Sequence, residues 1–304
     1  MDSLDDLIAR LDDWFELDTL TEDPTFSRVI PSIYAGINYD WRSVFESDFC
    51  ERFNGLMLRG AETVQRVYCS AFPSAFVLDV FLRTAEPGDL LFLHHPLDLR
   101  CGDPRGAWGE GFTPIDPQRI ARLQERRLSV YTCHIPLDIH PQTSTGRAMA
   151  AALGVKVVDE IYPSPHGNFG LVGRIQPMTL IALIERLKLI FRVPYVDFEG
   201  SSPRQVESVA LVPGAGDRVF VMRQAEAKGA QVFISGEIHH HIDNQKGHSR
   251  FAEIMDYSQM TQMALIGVSH AASEFLVMRN QIVPWLEEHA SVQAFAIEEP
   301  HWWR

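Results

Sequence analysis

Twelve histidines are present in the chain, and several stand where an apolar run has just ended. In α/β proteins ligands gather at the carboxyl ends of strands, so this placement is the first pointer to chemistry. Leu90-Leu91-Phe92-Leu93 runs directly into His94-His95-Pro96. Consecutive side chains of a regular strand face opposite ways, so both imidazoles serve one centre only if the chain turns there, as Pro96 encourages. Otherwise each faces a different ion, or one caps the strand while the other is solvated. Val130 to Pro141 repeats the pattern with His134, Asp138 and His140. Here a nitrogen and a two-oxygen ligand stand close in sequence, and the carboxylate of Asp138 is suited to bridging two cations. The bland alternative has Asp138 capping a helix that begins near Thr145 and His134 packed in the core.

A third place is Ser269-His270-Ala271-Ala272-Ser273-Glu274. If Ser269 caps a helix, the four-residue spacing puts the imidazole of His270 and the carboxylate of Glu274 on one helical face. The same spacing suits a surface hydrogen bond. The densest cluster is Glu237-Ile238-His239-His240-His241, followed by Asp243 and His248. It extends a metal site, relays protons, or binds divalent ions adventitiously at a surface. Glu237 is the member expected to point inward. Pro213-Gly214-Ala215-Gly216-Asp217 stands between a strand and a helix, as phosphate-cradling turns do, but so short a motif equally marks a plain tight turn. The stretch from Gly167 to Gly173 has the same two readings.

The elements that must position these groups alternate. Leu4, Leu7, Ile8, Leu11, Trp14 and Phe15 recur at helical spacing over 4–17, behind Ser3 and Asp6 as a capping pair. Residues 18–53 have no clear period, so 1–53 reads as an N-terminal extension whose apolar helix face needs a partner, at a subunit edge or over a cleft. Thereafter the pattern predicts strand 64–69, helix 75–84, strand 89–93, helix 116–127, strand 128–134, helix 145–153 and strand 155–161. The second half predicts helix 178–191, strands 208–211, 231–235 and 262–268, and helices 219–228 and 274–287. This is α/β organisation. The Gly/Pro-rich stretch from Pro163 to Pro177 is the expected passage between domains, which gives 54–163 and 164–304 as first and second α/β domains.

Composition narrows the classes. The 304 residues are 46% hydrophobic and 22% charged, with a formal charge of -13. Such a length usually exceeds one hydrophobic core, hence two domains. An acidic chain gains little from phosphate counterion release, so nucleic acid is an unexpected partner. No run approaches the ~18 apolar residues of a membrane span, and the acidic start Met1-Asp2-Ser3 is unlike an export signal. The expected location is cytoplasmic. Cys50, Cys69, Cys101 and Cys133 form no Cys-x-x-Cys pair and read as reduced, structural thiols.

Taken in order, His94-His95-Pro96, His134 to Asp138, the Gly167 to Gly173 loop, Pro213 to Gly216, Gly229 to Glu237, and His270 to Glu274 resemble the NGG-one-interacting factor three-like family. That family also carries the name GTP cyclohydrolase one, type two. The similarity runs from Asn54 to about Glu287. Asn54-Gly55-Leu56-Met57 resembles its Asn-x-Gly-Leu-Gln opening with a shifted Gly and Met for Gln, and Ser269 stands where many members have Gly. The resemblance implies two similar α/β domains in a layered sandwich with a metal cleft between them, and ring-like homo-oligomers, often hexamers. It implies metal ligands at His94, His95, Asp138, His270 and Glu274, with Asp138 and Glu274 bridging two divalent ions per chain. His134 matches a neighbour suited to proton transfer, a role that also suits Glu237. Zinc, iron, manganese and nickel all accept such ligands.

The function expected from these residues is hydrolysis by an activated water, with His134 or the Glu237 to His241 cluster moving the proton. The substrate would be a small molecule, either a nucleotide opened in GTP cyclohydrolase fashion or another phosphoester or amide. Competing readings are a metal-binding oligomeric adaptor without catalysis and, last, a nucleotide-binding regulator resting on the glycine-rich loops alone.

Overall fold

The computed structural model describes residues 1–19 and 22–303, and the chain divides into two compact α/β units. The first comprises Met1–Leu99, Phe112–His140 and Met278–Glu299, the second Arg100–Gly111, Pro141–Val277 and Pro300–Arg304. Among the described residues, no helix is long and apolar enough to cross a membrane.

The first unit is built on a five-stranded sheet in the order Gln293–Ala296, Arg66–Ser70, Leu90–Leu93, Ser129–Thr132, Gly55–Leu58. The first four strands run parallel and the last is antiparallel. Leu90–Leu93 is the central strand with every side chain buried, which explains an uninterrupted apolar run where a one-sided strand would alternate. The crossover helices start where the sequence provides a cap. Ser74 Oγ accepts from Val77 N–H at 3.1 Å ahead of Ala75–Thr84, and Asp116 accepts from Gln118 N–H at 2.9 Å ahead of Pro117–Glu125.

The N-terminal segment supplies side chains to this unit's core. Phe26, Ile30 and Tyr34 line one face of the Phe26–Gly36 helix at full burial, and Phe45, Phe49 and Phe53 join them in the cluster that contains Leu91 and Leu93. The Leu4–Trp14 helix starts on Ser3, whose Oγ accepts from Asp6 N–H, and buries Leu4, Leu7 and Leu11. Its partner surface is the sheet of its own unit. Asp12 accepts from Tyr131 Oη at 2.9 Å, and Phe15 meets the edge of Phe92. The lack of period within 18–53 arises because the helices there are short: Phe26–Gly36 buries Phe26, Ile30 and Tyr34 around an internal Pro31, and Ser47–Arg52 buries Phe49.

Burial pushes the Asp12 carboxyl up to about 6, against the lowering hydrogen bond from Tyr131. Below the unfolded value of 3.8 both states hold the proton and Asp12 has no effect. Between that value and about 6 the unfolded chain releases it first, so stability falls as pH rises, and the penalty is complete above about 6. Asp12→Asn keeps an acceptor for Tyr131 and removes the ionisation. Urea unfolding is expected to show the variant about 1–2 kcal/mol more stable than wild type near pH 8, after a discount for partial exposure, and no different near pH 3. An equal effect at both pH values would contradict the assignment.

The second unit carries a six-stranded sheet in the order Asp197–Gly200, Ala264–Gly267, Val232–Glu237, Gln205–Ala215, Gly167–Thr179, Lys156–Ser164. The Ala264–Gly267, Val232–Glu237 and Gln205–Ala215 strands are mutually parallel, and the outer strands add antiparallel. Ser144, Thr179 and Asn244 cap the helices Thr145–Leu153, Leu180–Phe191 and Gln245–Ser258. Asp138 therefore does not cap the helix at Thr145; Ser144 does.

The expected partition at 53 and 163 differs from these units. Pro163 to Asn168 is the tip of a long antiparallel hairpin inside the second unit, not a passage between domains. Gly and Pro mark a turn equally well at a hairpin and at a linker. Gly173 reads as loop but is strand, because a Cβ there would stand 2.4 Å from Val155 Cγ1 and 2.6 Å from the carbonyl oxygen of Lys156. A second difference is Arg100–Gly111, the outer part of the hairpin formed by Asp98–Gly102 and Trp108–Thr113. It clusters with the second unit, where Gly109 N–H donates to His241 O and Gly109 O accepts from Asp243 N–H, both at 2.8 Å. The predicted helix 274–287 is three segments. His270–Val277 is α-helical, Met278–Ile282 widens to a π turn, and Val283–His289 is α-helical again. From Met278 to Glu299 the chain belongs to the first unit, where Gln293–Ala296 completes the sheet.

Candidate metal centre

Each unit gathers histidines and carboxylates at the carboxyl end of its parallel strands. In the first unit the chain leaves Leu93 with His94 N–H bonded to Ser70 O at 3.2 Å and His95 N–H to Ala71 O at 2.9 Å. Both imidazoles are buried, with ring centroids 4.6 Å apart. The alternation of a regular strand is thus broken, and donor atoms of His94, His95 and His134 lie within 4.8 Å of one another. His94 Nδ1 lies 2.8 Å from Cys133 O, so Nδ1 is the protonated nitrogen and the lone pair is on Nε2, 3.4 Å from Asp138 Oδ1. His95 stacks on Phe72 at 4.2 Å and meets the edge of Phe26.

His134 and Asp138 bracket the short Ile135–Ile139 helix, with His134 Nε2 4.0 Å from Asp138 Oδ2. Asn54 Oδ1 accepts from the backbone N–H of His134 at 2.7 Å, which ties the Asn54-Gly55-Leu56 segment to the site. The ring does not pack as a core histidine. Its Nδ1 is 2.7 Å from Oδ2 of Asp23, a fully buried carboxylate whose Oδ1 accepts from Thr25 N–H and Phe26 N–H. Burial pushes the Asp23 carboxyl up, but the His134 ring and the two amides outweigh it and hold it below the usual range.

In the second unit His270 opens the His270–Val277 helix and sets Nε2 3.0 Å from Glu274 Oε1. Its Nδ1 lies 3.2 Å from Glu237 Oε2 and 3.7 Å from Cys101 Sγ. All four side chains are buried. Burial favours neutral His270, yet Glu274, Cys101 and Glu237 outweigh it and push the imidazole well up. Burial likewise pushes Glu237 up, but the His270 ring outweighs it and holds Glu237 down. Two buried carboxylates around one imidazole are a donor set in which a divalent cation replaces a proton. A carboxylate on Nδ1 with Nε2 left for the ligand is the usual support of a metal-binding histidine. Glu237 therefore stands beside His270 as its orienting acceptor.

Ser269 has φ +76°, a conformation that favours Gly. Its hydroxyl compensates by donating to Trp302 O at 2.6 Å and accepting from Ala272 N–H. Two amides of the glycine turn are engaged by serine hydroxyls. Gly214 N–H donates to Ser273 Oγ, and Gly216 N–H to Ser235 Oγ. Gly214 is required by proximity: at φ +62°, a Cβ would lie 2.4 Å from Glu274 Oε1 and 3.1 Å from His270 Nε2. Gly214→Ala is expected to displace Glu274 and lower divalent-metal affinity roughly 10–100-fold. Metal content by elemental mass spectrometry after dialysis checks this, and unchanged retention would count against Glu274 as a ligand.

The His239 to His241 run is not a surface tag. His239 Nε2 is 3.3 Å from Asp197 Oδ2, whose carboxyl burial pushes up to about 7. His240 Nδ1 is 3.4 Å from Asp217 and 3.7 Å from Glu237, while His241 packs on Trp108 at 4.2 Å. The four cysteines are free thiols, three of them buried. Cys101 and Asp23 are site neighbours that sequence patterns do not reveal. A buried Cys reads as core, and Asp23 falls in the stretch without a clear period.

The chain is 27% identical over 258 residues to a GTP cyclohydrolase 1 type 2 homolog of Pyrococcus abyssi, covering 81% of this chain and 89% of that one. A homolog of the same description from Escherichia coli K12 is 27% identical over 270 residues, 87% of this chain and 96% of the relative. Among solved structures, TTHA1606 of Thermus thermophilus superposes with a TM-score of 0.64 at 20% identity, covering 98% of this chain and 99% of that one. Reduced HcgD of Methanocaldococcus jannaschii gives 0.60 at 17% identity over 87% of this chain and 97% of that one. These structural likenesses establish the fold. The family model described as Duf34/NIF3 (NGG1p interacting factor 3) matches residues 51–300, so the protein belongs to that family.

Proposed function

We propose that this protein is a metal-dependent hydrolase in which divalent ions, two per chain, are held by His94, His95 and Asp138 in the first unit and by His270 and Glu274 in the second. The observation that carries the reading is the orientation of the rings. His94 and His270 each have Nδ1 against an acceptor, which leaves Nε2 to ligate, and each Nε2 has a carboxylate within 3.4 Å. Bound divalent ions would supply a water of lowered pKa and a clamp for the substrate's oxygens. The chain's own part is to bind and to move a proton. His134 Nε2 takes it from the attacking water and returns it to the leaving group. Glu237 keeps the His270 ring in its ligating tautomer, and Phe26 and Phe72 shield His95 from solvent. The substrate is a nucleotide or another phosphoester, a proposal drawn from the naming of the relatives. The Gly214 and Gly216 amides of the glycine turn are already engaged, so triphosphate charges would fall chiefly to side chains.

A homo-oligomer, hexameric as the resemblance implies, is part of the same proposal. An adaptor role is the second reading, favoured by the outer strand Gln293–Ala296, where Phe295 and Phe76 stand partly exposed beside a groove of about 410 Å³.

Metal content per chain on untagged protein purified without added metal, beside His94→Ala and Glu274→Ala, is the first test. About two ions per chain, lost in both variants, followed by hydrolysis of nucleoside triphosphates or aryl phosphodiesters by the reloaded protein, is the expected result. A metal-free chain that resists reconstitution would sink the reading, and a loaded chain that hydrolyses none of these would favour the adaptor.

A further inference from the structure

The family match begins at residue 51, yet a side chain from outside it is joined to the site. We propose that Asp23 is a positioning residue for His134, fixing its ring as the Nδ1–H tautomer so that Nε2 is the proton acceptor. The inference rests on the reading of His134 as the proton-transfer group.

Its basis is geometric. Asp23 is buried at 2% exposure, and its two oxygens have separate tasks. Oδ1 accepts from Thr25 N–H at 2.8 Å and Phe26 N–H at 3.0 Å, which anchors the carboxylate to the start of the Phe26–Gly36 helix. Oδ2 faces His134 Nδ1 at 2.7 Å. An ionised carboxylate only accepts hydrogen bonds, so the facing nitrogen must carry the proton. Phe26 then lays its ring edge against His134, with centroids 4.8 Å apart, and Asn54 holds the His134 backbone. The ring is thus held by Asp23 and Phe26 and the backbone by Asn54, with Nε2 toward Asp138.

In the step proposed for His134, Nε2 takes a proton from the attacking water while the O–H electron pair stays on oxygen. The imidazolium so formed lies against the Asp23 carboxylate, and the proton later leaves from the same Nε2 to the departing group. The opposite tautomer would present Nε2–H and could not accept a proton at that nitrogen. The carboxylate thus selects which nitrogen works, as a buried acid does for a catalytic histidine.

The test is a long-range proton–nitrogen correlation spectrum of the full chain labelled with nitrogen-15 histidine and loaded with Zn²⁺, near pH 8. His134→Gln identifies the signals. Wild type is expected to show His134 protonated at Nδ1. Asp23→Asn keeps an oxygen for the Thr25 and Phe26 amides but turns an N–H₂ donor toward Nδ1, so the signals of the two ring nitrogens are expected to exchange character. Asp23→Glu should retain the wild-type pattern, and zinc content should stay unchanged in both variants. Nε2–H in the wild type overturns the proposal, a result that stands even if a variant fails to fold. An unchanged tautomer in Asp23→Asn, or zinc lost as in His94→Ala, also overturns it. None of these readouts needs turnover. An intact Nδ1–H tautomer in a chain without hydrolytic activity would reject the hydrolase reading and leave the Asp23–His134 pair standing.

Discussion

A chain lacking residues 1–53 is expected to be recovered as aggregate or as a species without a cooperative melting transition. The segment supplies Phe26, Ile30, Tyr34, Phe45, Phe49 and Phe53, none more than 5% exposed, to the cluster that covers the first unit's sheet. Each such side chain contributes about 1.5–3 kcal/mol by leaving water. Their sum is comparable to the ~5–15 kcal/mol by which a whole domain is stable. The truncation would also bare Leu91 and Leu93 on the central strand. Near-ultraviolet circular dichroism and limited proteolysis check this. A soluble truncated chain with a native melting profile would return the segment to the status of an appendage.

Among substitutions at the candidate ligands, His270→Ala is expected to have the largest effect. Glu237 and Glu274 are 5% and 3% exposed and both face this ring. Removing the ring takes from two buried carboxylates the imidazole that both face, a loss of about 3–5 kcal/mol by analogy with broken buried ion pairs. Metal retention in the second unit's cluster should fall with it. Asp138→Ala is expected to differ, releasing metal with little change in melting temperature, because its side chain is 13% exposed at the end of a short helix and water can replace it. Paired metal analysis and thermal melts of the metal-free proteins separate the two outcomes. Equal destabilisation by both substitutions would contradict the buried-carboxylate argument.

Several features follow from local patterns in the chain. The α/β alternation, the central apolar strand before His94, the cap at Ser3, and the helical spacing of His270 and Glu274 are encoded over a few residues, where period and capping chemistry act. The ligand candidates are likewise marked by strand ends and by family resemblance. Elements with weak or misleading local signals are not legible. Gly167–Thr179 has three glycines and a proline and reads as loop, yet it is a long strand because close neighbours on both sides demand small residues. Phe26–Gly36 contains a proline and follows no longer pattern, so only its burial reveals it as core.

The sequence by itself determined which residue types are available for chemistry, the class of fold, and the strand ends at which the histidines stand. The tertiary structure alone decided which nitrogen of each ring faces an orienting acceptor and which is left for the chemistry, since that depends on groups far away in the chain: Cys133 for His94, Asp23 for His134 and Glu237 for His270. It also decided that the glycine turn packs against His270 and Glu274 and that the chain returns at Met278 to close the first sheet. Hydrogen bonds and steric exclusion act over a few ångströms of space whatever the separation along the chain, and so leave no mark in a local pattern.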